Sequence, residues 1–263
     1  MTKRVLVISD LHCGHEYGLT PPDWWERDVP DVKHLAKVGR FQRQLWNFFS
    51  SWVEKLKPIY MLIVNGDAIE GKGVKSGGTE LITADRNEQV QIAKTAIDLV
   101  DAQKIRLLYG TRYHSGTDED WEKGLANVLI GDVEIKGHAF LDVNGCKLSV
   151  KHKISKSIVP HGRMTPLARA RLWNVIWNSE WERQPKADIL IRSHVHYFQF
   201  CGRENWLAII TPALTYNSHF GVRECEGVVD VGMVYFDFNE DGSYKWVPIL
   251  ANFDSLRVQA EVL

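Results

Sequence analysis

Five short apolar runs in this chain each stop at a residue able to hold a metal or a proton. Lys3–Ser9 ends at Asp10-Leu11-His12, Ile59–Val64 runs into Asn65-Gly66-Asp67, and Ile105–Tyr109 into Gly110-Thr111-Arg112-Tyr113-His114. Further along, Lys147–Val150 is followed by Lys151-His152, and Ile189–Arg192 by Ser193-His194-Val195-His196. Short β-branched runs of this kind are buried strands. Layered α/β folds place the carboxyl ends of parallel strands along one edge, where sites are usually built. The order of these runs therefore predicts a chain that gathers carboxylates and imidazoles at one place.

The stretches between them set the layers. Apolar residues from Leu35 to Leu56 recur every three or four positions, which predicts a helix over Val32–Lys55 stopped by Pro58. Helices are also predicted over Asp85–Ala102, Asp118–Leu129 and Pro166–Trp181, the last with Trp173, Trp177 and Trp181 on one stripe, for which packing on a sheet is a better explanation than stacking on bases. Glu70–Thr83, with four glycines, reads as a mobile loop, and the segment holding Gly14, Gly18, Pro21, Pro22 and Pro30 as a loop. Val133–Ile135 and Ala139–Val143 are short strands, and Asn144-Gly145 is a type I′ hairpin signal. Strands follow at Phe198–Cys201, Ala208–Ile210, Val228–Phe238 and Tyr244–Ile249. Alternating strands and helices in the first half, and mostly strands in the second, predict an α/β fold. Its form is a four-layer α/β/β/α sandwich of two mixed β-sheets flanked by helices, one domain spanning residues 1–263.

Charge excludes some partners. Thirty-two basic residues against 33 acidic ones leave a formal net charge of -1, so no global field draws the chain to nucleic acid or to a membrane. No apolar run approaches membrane-spanning length, and the N-terminal apolar stretch is too short for a signal peptide. Cys13, Cys146, Cys201 and Cys225 form no C-x-x-C pair, which argues against a disulfide framework and fits a reducing cytoplasm. Between Val143 and Ser179 there are seven Lys/Arg and no acid, a stretch that brackets His152 and predicts an electropositive wall for an anionic substrate.

A lone Asp or His after a strand is usually a turn or packing residue. D-x-H, G-D, a later His and H-x-H, in that order and all at strand ends, are far harder to obtain by accident. Such hard-to-borderline donors suit Zn, Mn, Fe or Ni. These residues resemble the calcineurin-like metallophosphoesterase superfamily of phage and bacterial type, through Asp10-Leu11-His12, Gly66-Asp67, His152 and Ser193-His194-Val195-His196. The resemblance implies two divalent metal ions: Asp10, His12, Asp67 and His196 holding one, Asp67, His152 and His194 the other, with Asp67 bridging. It also implies a hydroxide, activated between the metals, as nucleophile on a phosphoester.

The family's third block, an Asn ligand followed directly by a catalytic His, departs here to Gly110-Thr111-Arg112-Tyr113-His114. The favoured register keeps His114 as the general acid, with Thr111 or Tyr113 in the space of the absent amide and Asn87 as a remote substitute. Arg112 and Arg163 are the expected substrate contacts, and Trp24-Trp25 serves either substrate contact or loop anchoring. The expected activity is phosphodiester hydrolysis, with monoesters as a further class and a nucleotide or nucleic acid as substrate. The alternatives are a DNA or RNA nuclease, a phosphoprotein phosphatase, and a non-catalytic scaffold with a decayed site; the chain is a monomer or a homodimer.

Overall fold

A computed structural model describes residues 1–25, 33–116, 120–216 and 227–253. Two mixed sheets pack face to face. The first has six strands, β1 (Lys3–Ile8), β2 (Met61–Asn65), β3 (Lys104–Leu108), β4 (Asp132–Lys136), β10 (Gly232–Phe238) and β11 (Tyr244–Leu250), in the order β11-β10-β1-β2-β3-β4. The second has five, β5 (Ala139–Val143), β6 (Cys146–Val150), β7 (Ile189–Arg192), β8 (Gln199–Arg203) and β9 (Trp206–Ile210), in the order β5-β6-β7-β9-β8. β1 to β4 run parallel, as do β6, β7 and β9, with antiparallel strands at the margins.

Side-chain alternation along the strands builds the layers. Val5, Val7, Met61 and Ile63 face the second sheet, where Leu148, Val150, Ile189, Ile191 and Ile209 meet them. The alternate residues Leu6, Ile8, Leu62 and Val64 face outward onto helices α1 (Lys33–Leu56), α2 (Arg86–Val100) and α4 (Trp121–Val128). On the far side, Leu190, Ala208 and Ile210 pack against Leu167 of α5 (Thr165–Trp181). The result is the expected α/β/β/α arrangement. Strands buried on both faces have no polar alternation to show, which is why they read as continuous apolar runs.

Local signals explain the boundaries. Val38, Phe41, Leu45, Phe49 and Val53 form the buried stripe of α1, and Pro58 follows its end. The Asp85 and Asp120 side chains cap α2 and α4, accepting from the backbone N–H of Asn87 and Lys123. Asn144 and Gly145 both adopt positive φ, 53° and 85°, as a type I′ hairpin between β5 and β6 requires. Val32, Pro30, Asp118 and Cys225 lie outside the described residues.

Three expectations are corrected. The strand expected from Val228 begins at Gly232, and Val231 makes only an isolated bridge to Ala213. Glu70–Thr83 is pinned, not loose: the Gln89 side chain accepts from Gly71 N–H at 2.8 Å and donates to the Gly71 carbonyl at 3.0 Å. Trp173 and Trp177 of the α5 stripe are not buried against the sheet, being 54% and 36% exposed. The docking face runs instead through Leu167, Ala170 and Asn174, with the Asn174 amide bonded to Ala187 N–H and the Pro185 carbonyl. Periodicity locates a stripe on a helix; the neighbouring layer decides which stripe docks.

Candidate metal centre

The carboxyl ends of β1, β2, β3, β6 and β7 meet at one edge, and the loops leaving them keep pairing past the strands. Asp10 N–H donates to the Gly66 carbonyl, His12 N–H to that of Asp67, and Ser193 N–H to that of His152. Beneath them a polar seam joins the two sheets. Asn65 Nδ2 donates to Ser193 Oγ at 2.5 Å, Ser193 Oγ lies 2.7 Å from Thr211 Oγ1, and Thr211 Oγ1 lies 2.8 Å from Ser9 Oγ. All four residues are fully buried. Each sits at a strand end, Ser9 and Ser193 directly before Asp10 and His194, so the seam ties the edges of both sheets together.

On this floor stand three overlapping groups whose ligand atoms lie within 4.8 Å of one another: Asp10, His12 and His196; His12, Asp67 and His114; and Asp67, His152 and His194. Every residue expected as a metal ligand, together with His114, is therefore brought to one cluster. The backbone beneath it is strained. Eight non-glycine residues among those described have φ in the left-handed region, and five are Asp10, His12, Asp67, His194 and His196, at 46° to 78°. The other three, Asp101, Asn144 and Glu182, are helix caps and a hairpin turn. Such conformations cost of order 1–3 kcal/mol each and cluster where function over-determines them.

Two glycines let the cluster close. A Cβ on Gly66 would lie 2.5 Å from the His152 ring, and one on Gly110 2.1 Å from Asp67 Oδ1. The hydrogen bonds then fix which imidazole nitrogens face inward. His152 Nδ1 donates to the Asn65 carbonyl at 2.6 Å, leaving Nε2 at 3.0 Å from Asp67 Oδ2. His12 Nδ1 donates to the Glu70 carboxylate at 2.7 Å, leaving Nε2 at 3.2 Å from His196 Nε2. His114 Nδ1 donates to the Glu70 carbonyl at 2.7 Å.

The charges fit a cation site. Burial opposes an ionised Asp10, yet the adjoining His196 outweighs it and holds the carboxyl down at about 2. Burial likewise opposes an ionised Asp67, and His152 holds it well below the usual carboxylate range. Burial works against the His152 imidazolium, but Asp67 raises it to about 10. Burial and His114 push the His12 imidazole down. Asp10 Oδ1 is buried without a hydrogen-bond partner: His196 Nε2 is 3.2 Å away but poorly aligned. An orphaned carboxylate oxygen beside two facing imidazole nitrogens is a donor set shaped for a divalent cation.

In the divergent third block, Thr111 reaches Asp67. Its N–H donates to Asp67 Oδ1 at 2.7 Å and its hydroxyl lies 3.2 Å from the same oxygen. Tyr113 instead lies edge-on to the His114 ring, at 4.7 Å between centroids. Asn87 is exposed in the first turn of α2 and is not brought to the cluster. Arg112 is exposed on the one-turn helix α3 (Arg112–Ser115), which also carries His114. Arg163 lies 4.7 Å over the Tyr197 ring, beside His196 in sequence, so its contact is with that ring. Trp25 Nε1 donates to the Thr20 carbonyl and Trp24 packs on the core, so this pair anchors its loop. Arg171 of the basic stretch is structural, bonded to the Ala187 carbonyl.

Two carboxylates escaped the sequence reading. Glu70 is held down at about 2, where His12 outweighs its burial; its signal was its place three residues after Asp67. Glu122 on α4 accepts from Gly110 N–H at 2.6 Å and Ala68 N–H at 3.1 Å, and burial beside Asp67 pushes it up to about 7. Nothing in local spacing marks Glu122, because the contact is made by packing.

No family model matches this sequence, and no curated protein matches it. Among solved structures, the chain is similar to Vacuolar Protein Sorting 29 from Cryptosporidium parvum, at 10% identity over 96% of this chain and 99% of that one, TM-score 0.47. It is also similar to a wild-type Vps29 complexed with zinc from Entamoeba histolytica, at 14% identity over 94% and 98% of the chains, TM-score 0.42. A third is a novel archaeal phosphodiesterase, at 12% identity over 94% and 99%, TM-score 0.40. Among the described residues no helix is long and apolar enough to cross a membrane.

Proposed function

We propose that this chain is a metal-dependent phosphoesterase acting on phosphodiesters. The observation that supports this above others is the coincidence of positive φ at Asp10, His12, Asp67, His194 and His196 with their convergence around Asp67. Asp10, His12, Asp67 and His196 would hold one divalent cation, and Asp67, His152 and His194 a second. Cations so held polarise a phosphoryl oxygen and lower the pKa of water.

The chain's own residues do the rest. Asn65 and Glu70 fix the ring orientations of His152 and His12, so their Nε2 atoms face the cluster. With its Nδ1 N–H bonded to the Glu70 carbonyl, His114 would act from the imidazolium form, giving its Nε2 proton to the leaving oxygen and keeping the one on Nδ1. Arg112, exposed two residues before His114 on α3, is the proposed contact for the substrate phosphate. A nuclease reading is the same chemistry on a larger substrate. The replacement of the amide ligand by Thr111 favours a different reading, a binding protein that keeps its metal without turnover.

The test is metal-stripped protein reloaded with Mn²⁺, Ni²⁺ or Zn²⁺ and assayed on bis- and mono-p-nitrophenyl phosphate. Turnover that returns with metal, faster on the diester, is the expected result. Metal uptake without turnover on either ester would leave the binding-protein reading. His114→Ala should slow hydrolysis of a poor-leaving-group ester by about 10²–10⁴-fold and that of a p-nitrophenyl ester much less; an unchanged rate on the poor leaving group removes His114 from the mechanism.

A further inference from the structure

A groove of about 670 Å³ lies away from the metal-type cluster, on the outer face of the second sheet beneath α5. That volume is typical of small-molecule sites. Its floor is Arg192, the last residue of β7, which is only 6% exposed. The Arg192 guanidinium donates to the Ser149 and Ile191 carbonyls, at 2.8 and 2.7 Å, and to the Ser149 hydroxyl at 3.2 Å. All three partners are neutral. A buried cation answered only by neutral groups keeps most of its desolvation cost until an anion reaches it.

The walls add charge of the same sign. Lys151, Lys153, Arg169 and Arg183 line the groove, and no Asp or Glu does so among the described residues. His138 shares the Ser149 hydroxyl with Arg192, at 2.9 Å. Its burial, and after that the charges of Arg192 and Lys151, push that imidazole down to about 4. Along one side stand Trp173 and Trp177, one helical turn apart on α5 and substantially exposed. Two tryptophan faces beside a cationic floor match a ligand that carries both a planar ring and a phosphate.

We propose that this groove is a nucleotide-binding site separate from the metal-type cluster, taking a nucleoside phosphate with its phosphate toward Arg192 and the lysines and its base against Trp173 and Trp177. None of the groove's residues is among those of the cluster, and the site does not depend on the phosphoesterase reading.

The experiment is titration of metal-free protein, in EDTA, with ADP, followed by tryptophan fluorescence and calorimetry. Saturable quenching at one ADP per chain is expected, with adenosine alone and inorganic phosphate alone each binding more weakly. Trp173→Ala and Arg169→Glu change exposed residues and should each weaken ADP by about tenfold or more, while His194→Ala leaves the affinity as it was. Arg192→Met should abolish binding, but because it alters a buried charge the two exposed variants decide the matter. Absence of saturable binding at millimolar ADP overturns the proposal, and so does binding that ignores both exposed variants but is lost in His194→Ala. An oligothymidylate that binds where ADP does not would make the groove a strand-binding face and overturn the nucleotide assignment.

Discussion

Two regions of this molecule sit on the same strands and are chemically opposite. At the carboxyl edge, β7 leads into His194 and His196, where carboxylates and imidazoles are mostly buried on strained backbone. Two residues before His194, Arg192 points to the outer face, into a groove with cations, exposed tryptophans and no acid among its described lining. The edge concentrates lone pairs and negative charge; the outer face concentrates protons and positive charge. Strand alternation makes this possible, because residues adjacent in sequence serve different layers. One short strand can thus supply a cation site and an anion site without mixing their fields.

The contrast breaks most sharply at Asp67. Asp67→Asn preserves shape but removes the charge shared by two of the three ligand groups. The expected result is loss of one equivalent of metal or more, by elemental analysis, and a fall in diesterase turnover of about 10³-fold or more. ADP affinity at the outer groove should stay unchanged. Full metal retention in Asp67→Asn would make the edge a structural polar knot.

Gly110→Ala tests the packing of the edge without changing any charge. The added Cβ would sit 2.1 Å from Asp67 Oδ1 and 2.3 Å from its backbone nitrogen, so the loop after β3 must move. Overpacking of this kind costs about 1–3 kcal/mol, readable in a urea titration, and metal affinity should fall with it. Gly124→Ala, on α4 with nothing within 4 Å of the new methyl, is the control and should be neutral or slightly stabilising.

How much of this was legible in the sequence follows from the physics of each contact. The six ligand-type residues were readable because strand ends are marked locally, by an apolar run and the residue that stops it. Gly66 and Asp67 carried the same mark. Glu122 was not readable, since its carboxylate reaches Gly110 and Ala68 only after α4 has docked. The seam of Ser9, Asn65, Ser193 and Thr211 looked like ordinary strand-end polarity until two sheets brought it together. On α5 the period was right and the face was wrong, because Asn174 docks the helix through hydrogen bonds that a hydrophobic stripe does not report.

A smaller effect separates the regions by pH. The His138 pKa, depressed from 6.5 to about 4, means that the folded chain binds fewer protons than the unfolded chain between those values. Stability should therefore fall as pH drops from about 6.5 toward 4, and this contribution should level off below that. The groups facing His138 are Arg192, Lys151, the Ser149 hydroxyl and the Phe140 ring. His138→Gln should flatten this part of the acid slope in urea titrations. An unchanged slope would mean that burial and the neighbouring cations do not together hold the His138 imidazole down.

The smallest expected effect is the most discriminating for α5. A tryptophan packed in a core costs about 3–5 kcal/mol when cut to alanine. Trp173 is more than half exposed, so Trp173→Ala should change the unfolding free energy by no more than about 0.5 kcal/mol. The same substitution should still cost the groove most of its affinity for ADP. A near-zero stability change with a large binding change is the signature of a side chain held at the surface for a ligand. A loss of several kcal/mol would restore the packing role that the helical stripe first suggested, and would remove the aromatic wall from the nucleotide site.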